Sequence, residues 1–179
     1  AEDDEKILLH ISNFRPVKKV EDVVRVFAKV KESVKSKLIL VGDGPDGILI
    51  DDLCNELNLC DDIKRMGKLT ETETILSIAD LFLLTSETES FGLVALEAMA
   101  SGVPVISTNT GGIPEVNIHG KTGYLSNVGD VADMAKNAIE LLEDDGKYRQ
   151  FRKNAFSQAK EFDIENILPL YEALYERLI

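Results

Sequence analysis

Basic residues are in short supply. The 179-residue chain carries 20 Lys and Arg against 32 Asp and Glu, a formal net charge of -12 at pH 7. Nucleic acid and anionic membrane surfaces reward a basic face, so this balance argues against both as partners. It leaves room for a local basic pocket. Cysteine is scarce as well: Cys54 and Cys60, with five residues between them and no C-x-x-C. That spacing spells neither a zinc site nor a redox motif, and the pair reads as two free thiols in a reducing cytoplasm. No apolar run approaches the ~18 residues of a membrane helix. The acidic start, Ala1 to Lys6, lacks signal-peptide character and reads as a linker or the cut end of a longer chain. The expected location is cytoplasmic, with no membrane-spanning segment. A Ser-His-Asp arrangement and a metal-ligand set are also missing. So is a G-x-G-x-x-G after the first strand, which counts against an NAD-type dehydrogenase.

What is present suits one domain over residues 1–179. Short apolar runs alternate with helix-spaced segments. Ile7–Ser12, Lys37–Val41, Asp62–Met66, Asp80–Leu84, Pro104–Ser107 and Tyr124–Leu125 read as six strands. Val20, Val23, Val24, Phe27 and Val30 recur at helical spacing. Thr70 with Glu73 resembles a capping box opening a short helix. From Gly129 on the chain is helical, over about 130–143, 146–161 and 165–178. The expected fold is α/β: a doubly wound, three-layer, Rossmann-like parallel sheet of about six strands with a helical C-terminal tail. A ligand should lie outside the carboxyl ends of the strands, where the loops after strands one, two, four and five meet. The tail must pack on a sheet edge or reach across to something else.

One stretch, Thr85 to Gly102, organises the rest. It follows the fourth strand, turns through a polar loop and enters a helix at about Gly92. Such a turn points free N–H groups and the positive end of the helix dipole at the strand edge, an anion cradle. Glu89 and Glu97 flank it, eight positions apart. Acids cannot hold the phosphate, but they suit a hydroxyl-rich partner attached to it, which means a nucleotide sugar. Glu97 lies in a helix that is apolar nearly all round, so it should be buried and partnered, and vicinal ribose hydroxyls would serve. A glycosidase-like acid and base pair, or a solvated Glu97, are the other readings.

Arg15, Lys18 and Lys19 form the basic cluster at the end of the first strand. They suit a diphosphate clamp, with Lys18 favoured over Lys19; a solvated loop is the alternative. Gly42-Asp43-Gly44-Pro45 is a turn in which Gly44 would let backbone approach a phosphate, and Gly111-Gly112 also permits close approach. His10 reads as a satisfied strand-end group and His119 as an exposed turn residue.

Glu89-Ser90-Phe91-Gly92-Leu93-Val94-Ala95-Leu96-Glu97 resembles the E-x7-E element of the family-four retaining glycosyltransferases. Gly102-Val103-Pro104-Val105, Gly111-Gly112-Ile113-Pro114-Glu115, Gly120-Lys121-Thr122-Gly123, Val41-Gly42-Asp43-Gly44-Pro45 and the Arg15/Lys18 pair follow the family's pattern in order. Within it, His10 to Arg15 with Lys18 is most similar to the synthases that join N-acetylglucosamine to malate. The resemblance implies the C-terminal, donor-binding half of a two-domain GT-B enzyme, without the N-terminal acceptor domain. It implies Arg15 and Lys18 on the diphosphate, Gly44 close to it, and Glu89 on sugar hydroxyls. Ser90, Phe91, Gly92 and Leu93 would stand at the phosphate and sugar, Glu97 at the ribose, and Met66 beside the base. The family's Lys usually stands about five residues after its Arg; here the gap is three.

The implied reaction is retaining glycosyl transfer from a UDP-linked donor. The leaving diphosphate takes the acceptor's proton, and no metal or separate cofactor is needed. The chain alone should bind donor weakly and transfer little. The apolar last helix, Asn166 to Ile179, should drive self-association if nothing covers it. Two alternatives share the fold: a sugar-nucleotide epimerase, and an isolated nucleotide-sugar-binding module without activity.

Overall fold

The computed structural model describes residues 4–177. Six parallel strands form one sheet in the order β3-β2-β1-β4-β5-β6. They are β1 (Lys6–Ile11), β2 (Ser36–Val41), β3 (Ile63–Gly67), β4 (Leu81–Leu84), β5 (Val105–Thr108) and β6 (Gly123–Ser126). The helices are α1 (Val20–Lys31), α2 (Gly47–Glu56), α3 (Glu73–Ser77), α4 (Leu93–Ala100), α5 (Ile113–Val116), α6 (Val131–Glu143), α7 (Asp145–Lys160) and α8 (Ile164–Glu176). This strand order is the doubly wound one, and its direction reverses between β1 and β4. The expected fold class holds.

The strands are apolar throughout because both faces are covered, and successive side chains serve opposite cores. Leu8, Leu38, Leu81 and Leu83 pack with α1 and α6 on one face. Leu9, Phe82, Leu84 and Val105 pack with α4, α5 and α7 on the other. Shifting β4 by one residue would swap Leu83 for Phe82, so the register is strongly specified.

Three local expectations change. The loop after β5 contains a short helix, α5, which carries buried Ile113 and Val116. The helix after β3 starts at Glu73 behind Thr72, with no side-chain cap, so the Thr70–Glu73 box is not used. Its register is set by Leu76, which is 2% exposed, reaching the core. The cysteines are not free: Cys54 and Cys60 form a disulfide. Asn58 takes a left-handed conformation and the Leu59 amide donates to the Cys54 carbonyl, which folds the chain back after α2 and stacks the two residues. Closing so short a loop restricts the unfolded chain by about 2 kcal/mol. Cys60→Ser is therefore expected to lower unfolding free energy by about that amount in oxidising buffer. Urea titration with and without reductant checks it, and reductant should abolish the difference.

In the tail, α6 packs on α1, and α7 packs on α4. The third helix, α8, buries no residue, and it leaves Leu168, Leu170, Tyr171, Leu174 and Tyr175 exposed. The expected contributions of Leu178 and Ile179 lie outside the described residues. Among the described residues, no helix is long and apolar enough to cross a membrane.

Candidate functional site

The β1–β4 ladder is short, pairing only Leu8 with Leu81 and Leu9 with Phe82. Beyond it the two strands part. The loops that leave them are tied together. The Thr85 hydroxyl donates to the Lys18 and Lys19 carbonyls, and the Glu87 amide donates to the Val17 carbonyl. A cleft of about 460 Å³ opens there, lined by Ile11, Ser12, Asn13, Lys18, Glu89, Leu93, Val94 and Glu97. It lies at the point of reversal, as expected for a doubly wound sheet.

The loops after β2 and β5 were expected to line the site as well. They brace it instead. Phe14 is fully buried, with its amide donating to the Asp43 carbonyl and its carbonyl accepting from the Asp46 amide. A side chain at Gly44 would sit 2.4 Å from the Phe14 carbonyl oxygen, so the glycine is needed for packing of the two loops. On the other side the Thr108 hydroxyl donates to the Ser86 carbonyl and the Gly112 amide to the Glu89 carbonyl. Gly111, at φ +54°, leaves no room for a Cβ against the Glu89 carbonyl.

Within the cleft the Lys18 ammonium stands 2.6 Å from Glu89 Oε2, and the Ser86 hydroxyl donates to the same oxygen. Lys19 has a left-handed backbone and turns to Glu21 and Asp22 at the start of α1. Of the two lysines, Lys18 therefore lines the cleft and Lys19 turns to α1. Gly92, at φ +90°, precedes α4. Among the described residues, the amides of Phe91, Gly92 and Leu93 donate to no side chain or loop carbonyl. They face the start of the helix unspent.

Glu97 is exposed, which overturns its expected burial. Helix α4 buries Ala95, Ala98 and Met99, while Leu93, 60% exposed, and Glu97, one turn on, look outward into the open cleft. Partial desolvation, and then the Glu73 charge, hold the Glu97 carboxyl above its ordinary pKa. Among the described residues, no hydrogen bond or ion pair engages the Glu97 carboxylate, which lines the cleft.

The remaining expected site residues stand apart from that wall. Arg15 is exposed on the β1 loop and pairs with no carboxylate among the described residues. Met66 is 40% exposed at the end of β3. Ser90 is exposed, and the ring of Phe91 packs edge-on to Phe162 at 5.6 Å. The sequence reading missed Ser12, Asn13 and Val94 as cleft residues and Ser86 as a partner of Glu89. A polar pair straight after an apolar strand was the signal available for Ser12 and Asn13. His10 is as expected: fully buried and satisfied, between the Leu83 carbonyl and the Ser12 hydroxyl. His119 is exposed, as expected.

With this geometry in place, comparison with known proteins places the chain. The profile of the family described as "Glycosyl transferases group 1" matches residues 1–158. The N-acetyl-alpha-D-glucosaminyl L-malate synthase of Bacillus anthracis is 50% identical over 174 residues, covering 97% of this chain and 46% of that protein. Sulfoquinovosyl transferase SQD2 of Arabidopsis thaliana is 30% identical over 166 residues, 91% of this chain and 32% of its own. The chain thus spans less than half the length of either relative. Among solved structures, a TarM variant from S. aureus in complex with fondaparinux, alpha-GlcNAc-glycerol and UDP superimposes with a TM-score of 0.88 at 27% identity, over 96% of this chain and 36% of that one. HepE from Anabaena, in complex with UDP and glucose, gives 0.85 at 27% identity, over 97% and 49%.

Proposed function

This chain belongs to the group 1 glycosyl transferases, and from that premise we propose that it is the donor-binding half of a retaining GT-B enzyme that takes a UDP-linked sugar. One observation carries the reading. A cation from the loop after β1, Lys18, the first residue of α4, Leu93, and a helical carboxylate, Glu97, line one cleft at the sheet's point of reversal. The UDP in the TarM and HepE complexes supports it. The likeness to the malate synthase makes UDP-N-acetylglucosamine the first donor to test.

On this reading the diphosphate takes over Lys18 from Glu89, with Arg15 closing from the loop rim. Glu89, released, holds sugar hydroxyls, and Glu97 holds the ribose. Ser90, Phe91, Gly92 and Leu93 border the phosphate and sugar. Gly44 supports the diphosphate side through Phe14, and Met66 stands by the base. As the glycosidic bond breaks, negative charge grows on the leaving diphosphate, and Lys18, Arg15 and the start of α4 stabilise it. Neither metal nor cofactor enters these steps. The acceptor is held by a further domain, and that domain, or a second copy of this chain, covers the exposed apolar face of α8. By itself the chain binds donor and transfers little.

Isothermal titration with UDP, GDP and ADP tests the base and the clamp together. A charged hydrogen bond to phosphate is worth ~1.5–3 kcal/mol, so Lys18→Ala is expected to weaken UDP binding by roughly ten- to a hundredfold. Lys19→Ala, whose ammonium faces α1, is expected to stay within about twofold. A flat response to all three nucleotides, or equal loss from both lysines, would overturn the proposal.

A further inference from the structure

Ser12 follows β1 directly and lines the cleft. Its hydroxyl oxygen is 2.7 Å from His10 Nε2, and His10 Nδ1 is 2.9 Å from the Leu83 carbonyl oxygen. A carbonyl oxygen only accepts, so Nδ1 carries the ring's proton. His10 is fully buried between the rings of Phe14 and Phe82. Burial keeps the imidazole neutral, with its pKa lowered to about 4. Nε2 is then a bare lone pair, and the proton in its contact with Ser12 is the serine's own. The one donor of that hydroxyl is spent inward. Only lone pairs are left for the cleft.

We infer that Ser12 is a specificity-determining residue that accepts a hydrogen bond from a hydroxyl of the transferred sugar and takes no part in holding phosphate. The inference rests on the nucleotide-sugar reading above. Diphosphate oxygens at neutral pH only accept, so the lone pairs of Ser12 repel them, whereas sugar hydroxyls donate. The wall around Ser12 has the same polarity. Glu89 and Glu97 add acceptors, and the ammonium of Lys18 lies against Glu89 on the side where the phosphate is placed. The fold also explains why the histidine is there. The β1–β4 ladder stops at Leu9 and Phe82, so the Leu83 carbonyl takes its hydrogen bond from the His10 ring. The need to satisfy a buried carbonyl where the strands part fixes the tautomer. The tautomer in turn sets the polarity of the serine.

The test compares two probes, UDP and UDP-N-acetylglucosamine, on wild type and Ser12→Ala by isothermal titration. One neutral hydrogen bond is worth ~0.5–1.5 kcal/mol, about two- to tenfold. Ser12→Ala is therefore expected to lower the affinity for the sugar nucleotide by about that factor and leave UDP unchanged. Equal loss for both probes would assign Ser12 to the diphosphate or ribose and overturn the inference. An unaltered ratio would overturn it too. If wild type binds neither probe, the donor reading itself falls, and the Ser12 inference with it. Long-range 1H–15N spectra of wild type supply a second reading that needs no variant. The chain has only two histidines, so His10 is readily assigned. The proton is expected on Nδ1, and Nε2 is expected to shift on adding the sugar nucleotide but not UDP. A proton on Nε2 would sink the inference whatever the titrations show.

Discussion

Acidification from pH 6.5 to pH 4 is expected to cost the folded chain about 3 kcal/mol through His10 alone. The ring is fully buried, and desolvation is the largest cause of its lowered pKa, with the charge of Lys18 acting the same way. Its pKa falls from 6.5 to about 4 on folding. Between those values the unfolded chain takes up a proton that the folded chain refuses. Stability from this group is therefore complete above pH 6.5, declines as the pH falls, and is fully lost below about 4. The slope approaches ~1.4 kcal/mol per pH unit within the window. Asp62, whose carboxyl is held below its ordinary pKa through hydrogen bonds from Lys37 and Lys31 that outweigh its desolvation, adds its own loss at lower pH. Glu97 works in the opposite sense, since its pKa is raised on folding, but it is exposed and weakly coupled. Urea unfolding at half-unit pH steps measures the curve. His10→Gln should be flat through the window. A wild-type His10 that titrates near 6.5 in the folded state would show the ring is solvated, against its observed burial.

Asn117→Ala is expected to destabilise the chain by about 3 kcal/mol, which lowers the midpoint of thermal unfolding by roughly 6–12 °C. The residue is fully buried at the end of α5. Its amide nitrogen donates to the Val105 carbonyl and the Ser107 hydroxyl, and at 3.3 Å to the Tyr124 carbonyl. Its oxygen accepts from the Thr122 hydroxyl, which in turn accepts from the Ile118 amide. One side chain thus joins β5, β6 and the turn that leads into β6. Truncation leaves several buried polar groups without partners and opens a small cavity. Each unsatisfied group costs ~1–3 kcal/mol, and the cavity adds to that. Asn117→Asp should be at least as damaging, because a carboxylate would face two carbonyl oxygens. Calorimetry of the three proteins decides it. A loss below ~0.5 kcal/mol for the alanine variant would mean that water replaces the amide, which its complete burial argues against.

Asn117 also shows where sequence reading stops. Its neighbours announce a glycine turn, but periodicity carries no sign that an asparagine will face inward. The partners are drawn from both strands that flank it, and only the closed sheet brings them together. The cysteine pair is a similar case. A gap of five residues read as two free thiols, whereas the left-handed Asn58 turns the chain back and brings the sulfurs together. Glu97 failed for a different reason. Counting apolar neighbours along α4 treated the helix as wrapped on all sides, whereas its core contacts occupy one stripe and the opposite side meets the open cleft.

The sequence by itself determined the six strands and their order along the chain, the helices between them apart from the short α5, the doubly wound sheet, the carboxyl end of the sheet as the place of the cleft, and the family. Those follow from hydrophobic period, glycine and proline punctuation and short motifs, all local along the chain. Only the tertiary structure decided that Lys18 rather than Lys19 enters the cleft, that Glu97 is open to solvent, and that Ser12 belongs to the wall with its hydroxyl committed to His10. Each of those depends on which way a side chain points once two loops distant in the chain are tied together, and linear spacing does not encode that direction.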